Sequence, residues 1–122
     1  MLEHRLDTAD SILYLRPKEA LAAQDFAQLA GAVDPHIEAT GGLAGIIVEA
    51  DRFPGWQSFA ALASHLRFVR SHHKRIRRIA IVTDSVIGEL AEHLASHFVA
   101  AEIDHFPSGR VEDAKRWILA GA

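Results

Sequence analysis

A chain of 122 residues has the length of one ordinary domain, and its 49% apolar and 24% charged residues are typical of a folded protein. The sequence contains no cysteine, which excludes disulfide bridges, thiol nucleophiles, iron–sulfur clusters and cysteine-ligated zinc. The formal net charge of −3 argues against a general polyanion binder, so we predict no nucleic-acid partner.

The beginning of the chain indicates where the protein works. Leu2 is followed at once by Glu3, so the N-terminus has no apolar signal-peptide core. The longest apolar run, residues 43–48, is too short to span a bilayer. We therefore expect a soluble cytoplasmic protein.

The first predicted elements are two short strands, at residues 3–7 and 11–16. A polar link of three residues joins them, which favours an antiparallel hairpin. Apolar residues then recur at helical spacing over residues 20–33 until Asp34-Pro35 interrupts the pattern. Either the helix kinks there, or Asp34 caps a second short helix at residues 35–39.

The remaining chain alternates buried strands with amphipathic helices. The predicted strands are residues 43–50, 77–84 and 99–106, and the predicted helices are residues 56–72, 86–98 and 111–119. The element order ββαβαβαβα predicts a single α/β domain over residues 1–122, with a mixed, mostly parallel sheet of about five strands and four main helices.

Several motifs in the second half of the chain resemble a known family. Phe53-Pro54-Gly55-Trp56 opens the long helix, Leu66-Arg67-Phe68 lies within it, and His72-His73-Lys74-Arg75 follows it. These motifs and the element order resemble the SpoIIAA-like branch of the STAS family, from about Leu2 to Leu119. STAS domains include bacterial anti-anti-sigma factors and cytoplasmic domains of sulfate transporters.

The resemblance implies two different functions. In classical anti-anti-sigma domains, a kinase phosphorylates a serine directly after the aspartate that follows the third strand. Here Asp51 is followed by Arg52, and the nearest hydroxyl is that of Ser58, which is the candidate phosphorylation site. The SpoIIAA-like branch also resembles lipid carriers of the CRAL-TRIO type, which implies binding of a small nonpolar ligand.

The residues themselves favour a ligand site at the carboxyl ends of the central strands. Phe53, Pro54 and Trp56 follow one such strand, and crevices at this edge usually bind ligands in open α/β folds. The opposite wall is predicted to be Asp84, Ser85 and Val86. The alternative is that Trp56 packs on the protein's own core.

The long helix also suggests an interface. The apolar residues predicted to face the sheet are Phe59, Leu62, Leu66 and Val69. In that orientation Phe68 points outward beside His65 and His72. This face predicts a homodimer or a regulatory protein partner. The alternative is that Phe68 packs against a neighbouring helix.

Two further clusters have less specific readings. The basic cluster from Arg67 to Arg78 can contact an anionic membrane surface, or it can simply be the solvated end of a helix. His93 and His97 have the i, i+4 spacing of metal ligands, with Glu89 one turn earlier. Solvated histidines explain that spacing equally well, so no metal site is predicted.

The sequence therefore predicts a non-enzymatic binding module without a cofactor. The sequence contains no nucleophile motif and no nucleotide-binding glycine loop. The aspartates that follow the strands are as consistent with helix caps as with catalytic carboxylates. The leading prediction is binding of a small nonpolar or amphipathic ligand. The alternative is a protein-interaction regulator that lacks the usual phosphorylated-serine motif.

Overall fold

The computed structural model of the chain describes residues 1–52, 54–84 and 100–121. The strands are Leu2–Asp7 (β1), Ile12–Pro17 (β2), Leu43–Glu49 (β3), Ile76–Val82 (β4) and Glu102–Phe106 (β5). They form one five-stranded sheet in the order β1-β2-β3-β4-β5, in which β1 is antiparallel to β2 and the other neighbours are parallel. The predicted α/β class and mixed, mostly parallel sheet are confirmed.

Three α-helices lie within the described residues: Ala23–Thr40 (α1), Phe59–His72 (α2) and Val111–Ala120 (α3). A short 3₁₀ turn, His73–Arg75, connects α2 to β4. The fourth predicted helix, at residues 86–98, lies outside the described residues.

The sheet separates two apolar layers because successive strand residues point to opposite faces. In β2, Leu13 and Leu15 face α1, whereas Ile12 belongs to the cluster under α3. β3 divides in the same way, with Ile46 on the α1 side and Ile47 on the α3 side. The central strands are therefore buried on both faces, which explains their continuous apolar runs.

Each layer has its own helical contacts. α1 contributes Leu29, Val33 and Ile37, which repeat every fourth residue and pack on one face of the sheet. α2 packs beside α1, because consecutive right-handed crossovers that advance in one direction place their helices on one face. α3 covers the other face through Ala114 and Ile118.

Gly45 in β3 permits the close approach of α3. A Cβ atom at this position would lie 2.6 Å from Cγ2 of Ile118 and 2.8 Å from the carbonyl oxygen of Arg78. A side chain at this point would push the helix away from the sheet.

The interruption predicted at Asp34-Pro35 does not end α1. The helix runs continuously to Thr40, and Gly41 (φ 93°) terminates it in the left-handed conformation. Pro35 and Gly31, whose carbonyl would have accepted the missing N–H, are both exposed, so water can satisfy that carbonyl. Of the two alternatives, the separate second helix capped by Asp34 is therefore wrong.

No helix within the described residues is long and apolar enough to cross a membrane. The cytoplasmic location remains a prediction.

Candidate functional site

The orientation of α2 decides which of its side chains can contact a partner or ligand. Ala61 is completely buried, and Phe68 packs against the core cluster below α1. In contrast, Phe59 is 83% exposed and Leu66 is 61% exposed. The predicted orientation is therefore wrong, because Phe68 faces inward while Phe59 and Leu66 face outward.

A row of aromatic and imidazole rings joins α1 to α2. Phe26 of α1 stacks on His65, with ring centroids 4.8 Å apart and an interplanar angle of 16°. It also contacts Phe68 at 6.3 Å, and Phe68 stacks on His72 at 4.0 Å. Trp56 completes the row, 5.9 Å from His65. Burial and ring stacking thus stabilise the interface between the helices.

Two hydrogen bonds of His72 anchor the far end of this row. Its Nε2 lies 2.7 Å from Oδ1 of Asp34, and its Nδ1 lies 2.8 Å from the carbonyl oxygen of Phe68. Asp34 therefore links α1 to α2. The residues predicted as an outward interface, His65, Phe68 and His72, instead form the stripe that holds α2 on α1.

At the other end of the row, the surroundings of His65 favour its neutral form. Its Nδ1 accepts a hydrogen bond from Nε1–H of Trp56 at 3.1 Å, so the proton of the neutral ring is on Nε2. Burial lowers the pKa of His65, because the charged ring would lose its hydration. Protonation of Nδ1 would remove the acceptor that orients the indole.

The loop containing Trp56 is attached to the segment before α1. Leu21 N–H donates to the carbonyl oxygen of Gly55 at 2.8 Å, and Gln57 N–H donates to the carbonyl oxygen of Leu21 at 2.8 Å. These bonds form a parallel bridge between Leu21 and Trp56. Trp56 remains 39% exposed, and Pro54 is half-buried.

The residues predicted as the opposite wall are only partly described. Asp84 is exposed and its Oδ1 accepts from Ser108 N–H at 2.8 Å, which ties it to the loop between β5 and α3. Thr83 Oγ1 donates to the carbonyl oxygen of Asp51 at 3.4 Å, so the loops after β3 and β4 meet at the predicted edge. Phe53, Ser85 and Val86 lie outside the described residues.

The exposed side of α2 combines apolar and basic side chains. Phe59, Leu62 and Leu66 follow one another at helical spacing, and Leu62 is half-buried. Arg67 and Arg70 are exposed further along the same helix. We call Phe59, Leu66, Arg67 and Arg70 the amphipathic face of α2.

Sequence reasoning missed this face because α2 carries two apolar stripes. The stripe that contains Phe59 and Leu66 is the more hydrophobic, so the sequence pattern predicts that it faces the interior. The buried stripe is defined by Ala61, which permits close approach, and by rings that match Phe26 of α1. An aromatic residue on the preceding helix was the available signal.

Ser58 is the N-cap of α2. Its side-chain oxygen accepts a hydrogen bond from Ala61 N–H at 3.1 Å, and the residue is exposed. The candidate phosphorylation site thus lies at the first turn of the helix that follows β3.

The basic cluster is divided between two sides of the molecule. Arg67, Arg70 and Lys74 are exposed on or directly after α2. Arg78 lies on the α3 side, where its guanidinium lies over the ring of Trp117 at 4.8 Å and Nε is 3.4 Å from Glu102. The basic cluster from Arg67 to Arg78 therefore does not form one patch.

A cleft of about 780 Å³ lies on the opposite side, between α3 and the β1–β2 half of the sheet. Two of its basic groups are paired: Arg16 Nε lies 3.4 Å from Glu49, and Lys115 Nζ lies 3.5 Å from Asp10. The pKa of Lys115 is raised by electrostatic interaction with Tyr14, and to a smaller extent with Asp10 and Glu112. The cleft thus offers mixed charge rather than a site for one kind of ion.

Within the parts of the chain that the structure describes, no three histidine or acidic side chains form a group that could hold a metal ion. His93, His97 and Glu89 lie outside those parts.

Comparisons with known proteins agree with the fold. The SpoIIAA-like family model matches residues 12–119. The structure is also similar to the crystal structure of an uncharacterised protein of the DUF3478 family, with a SpoIIAA-like fold, from Shewanella loihica PV-4. The two share 20% sequence identity with a TM-score of 0.75, over 97% of this chain and 92% of that one. No curated protein matches the chain.

The chain is therefore a STAS/SpoIIAA-like domain and belongs to the SpoIIAA-like family.

Proposed function

We propose that the protein is a non-enzymatic binding module for a small amphipathic ligand with an anionic head group. The observation that carries this proposal is the amphipathic face of α2. Large exposed apolar side chains are costly in water unless they are covered in use, and Phe59 and Leu66 are the most exposed of the described ones. Their position beside cationic groups favours a ligand with both characters.

The neighbouring loop extends the proposed site toward the edge that the sequence indicated. Trp56 precedes Phe59 by three residues and follows the carboxyl end of β3. Its hydrogen bond to His65 fixes the indole while part of it stays exposed. A fixed aromatic surface loses little conformational freedom on binding, which favours affinity.

The charges on α2 determine the expected orientation of the ligand. The apolar tail would cover Phe59 and Leu66, and the anionic head would lie beside Arg67 and Arg70. Basic side chains toward the C-terminus of α2 are also compatible with the helix dipole, so they need no acidic neighbour to be stable.

Calorimetric titration with dodecanoate tests this proposal. We expect saturable binding to the native protein, and at least about tenfold weaker binding to Phe59→Ser and Leu66→Ser, since each removes an apolar side chain that the bound ligand would cover. Leu119→Ser is the matched control, because Leu119 is 37% exposed on α3, outside the proposed site. Equal loss in all three variants, or no binding to the native protein, would refute the proposal.

A second candidate function is a protein-interaction regulator, and the position of Ser58 favours it. A phosphate at a helix N-terminus is stabilised by the helix dipole and by free N–H groups. The experiment compares proteins that co-purify with the native chain, Ser58→Ala and Ser58→Asp. A partner retained by one substitution and lost with the other supports regulation. Identical partner sets for all three chains contradict it.

A further inference from the structure

Within the parts of the chain that the structure describes, no strand pairs with the outer edge of β1. β1 lies at one end of the sheet and has β2 as its neighbour. Lys18 N–H donates to the carbonyl oxygen of Met1 at 3.0 Å, which makes Met1 and Lys18 a hydrogen-bonded pair. Because such pairs alternate along an antiparallel ladder, the N–H and C=O groups of Leu2, His4 and Leu6 point away from β2.

The residue opposite Leu2 agrees with this alternation. Leu2 lies across from Pro17, which has no N–H and therefore fits a position that donates nothing to the ladder. β1 itself contains no proline, and it is six residues long. An edge of this kind is a template for a further strand.

The side chains of β1 are symmetric in character about His4. A leucine lies two residues away on either side, and the adjacent residues are Glu3 and Arg5, which carry opposite charges. We propose that two copies of this chain associate through antiparallel pairing of their β1 strands, with the two-fold axis passing beside His4. This surface is distinct from the amphipathic face of α2, so the inference goes beyond the proposed function.

The proposed register matches both hydrogen bonds and charges. His4 faces His4 of the second copy, and Leu2 faces Leu6, so the outward N–H and C=O groups meet in about six backbone hydrogen bonds. Glu3 then faces Arg5 of the second copy, and the symmetry repeats this contact. These are non-hydrogen-bonded positions, where the strands bring side chains closest together.

The same charges oppose the neighbouring registers. Preserving the backbone pairing requires a slip of two residues between the strands. One such slip places Glu3 opposite Glu3 of the second copy, and the other places Arg5 opposite Arg5. Like charges directly across a strand pair are destabilising, so β1 selects one register.

The faces next to β1 suit an extended sheet. Leu2 and Leu6 are half-buried and pack against the core cluster under α1, so their pairing would lengthen an existing apolar layer. On the other face, the guanidinium of Arg5 lies 4.1 Å above the ring of Tyr14. This contact holds the Arg5 side chain over the sheet, beside the proposed seam.

Charge exchange across the seam provides the test. Sedimentation equilibrium would be measured on the native chain, Glu3→Arg, Arg5→Glu and the double variant, with any tag at the C-terminus. We expect the native chain to dimerise with a dissociation constant in the micromolar range, because a single edge strand makes a small interface. Each single variant should weaken dimerisation at least about tenfold, since two contacts become repulsive. The double variant should regain native affinity.

Two additional variants separate the seam from other effects. Glu38→Arg makes the same charge change at an exposed position on α1 and should leave the dimer unchanged. His4→Pro removes an outward N–H without removing a β1–β2 hydrogen bond, so the variant should be folded by circular dichroism and monomeric by sedimentation equilibrium. Two results would overturn the proposal: a native chain that stays monomeric at about 10⁻⁴ M, or a dimer whose affinity does not respond to the charge exchange.

Discussion

At the scale of single residues, His65 is the most informative side chain. It lies between Phe26 and Trp56 and accepts the indole hydrogen bond through Nδ1. Burial and this bond both favour the neutral ring. The imidazole therefore couples the position of the exposed indole to the packing of α2 on α1.

This arrangement predicts a dependence of stability on pH. The pKa of His65 is lowered in the folded state, so the unfolded chain takes up the proton first as the pH falls through about 6.5. His65 thus contributes stability above that pH and loses it progressively below. The variant His65→Gln has no such proton to bind and should lose less stability on acidification.

Urea unfolding of both proteins, followed by circular dichroism, measures the effect. The two conditions are about pH 7.5 and about pH 5.5, one pH unit above and below the usual pKa of histidine. We expect the free energy of unfolding to fall more for the native protein than for His65→Gln. An identical fall in both would mean that His65 is as easily protonated in the folded chain as in the unfolded one.

At the scale of elements, the two faces of α2 should respond in opposite ways to the same substitution. Phe68 contacts the core and the ring of Phe26, so Phe68→Ala should cost about 2 kcal/mol or more in the free energy of unfolding. Phe59 is largely exposed, so Phe59→Ala should change stability by about 0.5 kcal/mol or less.

Denaturant unfolding of the two alanine variants decides the orientation of α2, and each variant is the control for the other. The reverse order, with Phe59→Ala the more destabilising, would support the orientation that the sequence pattern first indicated and would remove the basis of the amphipathic face.

The elements differ in how well their sequences predicted them. The sheet was predictable because the runs around Ile46-Ile47 and Ile79-Ala80 are apolar on both faces, which few other structures accommodate. The sequence leaves open whether α1 continues through Pro35, because continuity depends on an exposed carbonyl that water can satisfy. The buried face of α2 could be predicted only by pairing its rings with Phe26 of the preceding helix, because local spacing does not distinguish the two apolar stripes.

At the scale of the whole molecule, the proposed ligand site and the proposed dimer seam occupy different surfaces. The amphipathic face belongs to the helix layer beside α1, whereas the seam is the β1 edge of the sheet. Substitutions at Phe59 and at Glu3 should therefore act independently, as expected for distant residues without shared contacts. Each of the two proposals can fail without affecting the other.

At this scale the sequence predicts the region of the proposed ligand site only approximately. It indicated the edge at the carboxyl ends of the strands, and the described loops after β3 and β4 do meet there through Thr83 and Asp51. It could not indicate that Trp56 is attached to Leu21, since that bridge joins segments that are distant along the chain.

Photo-crosslinking with a diazirine-bearing analogue of dodecanoate, followed by peptide mapping, tests directly whether the amphipathic face of α2 binds the ligand. We expect saturable labelling between Trp56 and Arg70, competed by unmodified dodecanoate and reduced in Phe59→Ser. Labelling concentrated in the cleft beside Tyr14 and Lys115, or no saturable labelling at all, would contradict the assignment of the amphipathic face of α2 as the binding site.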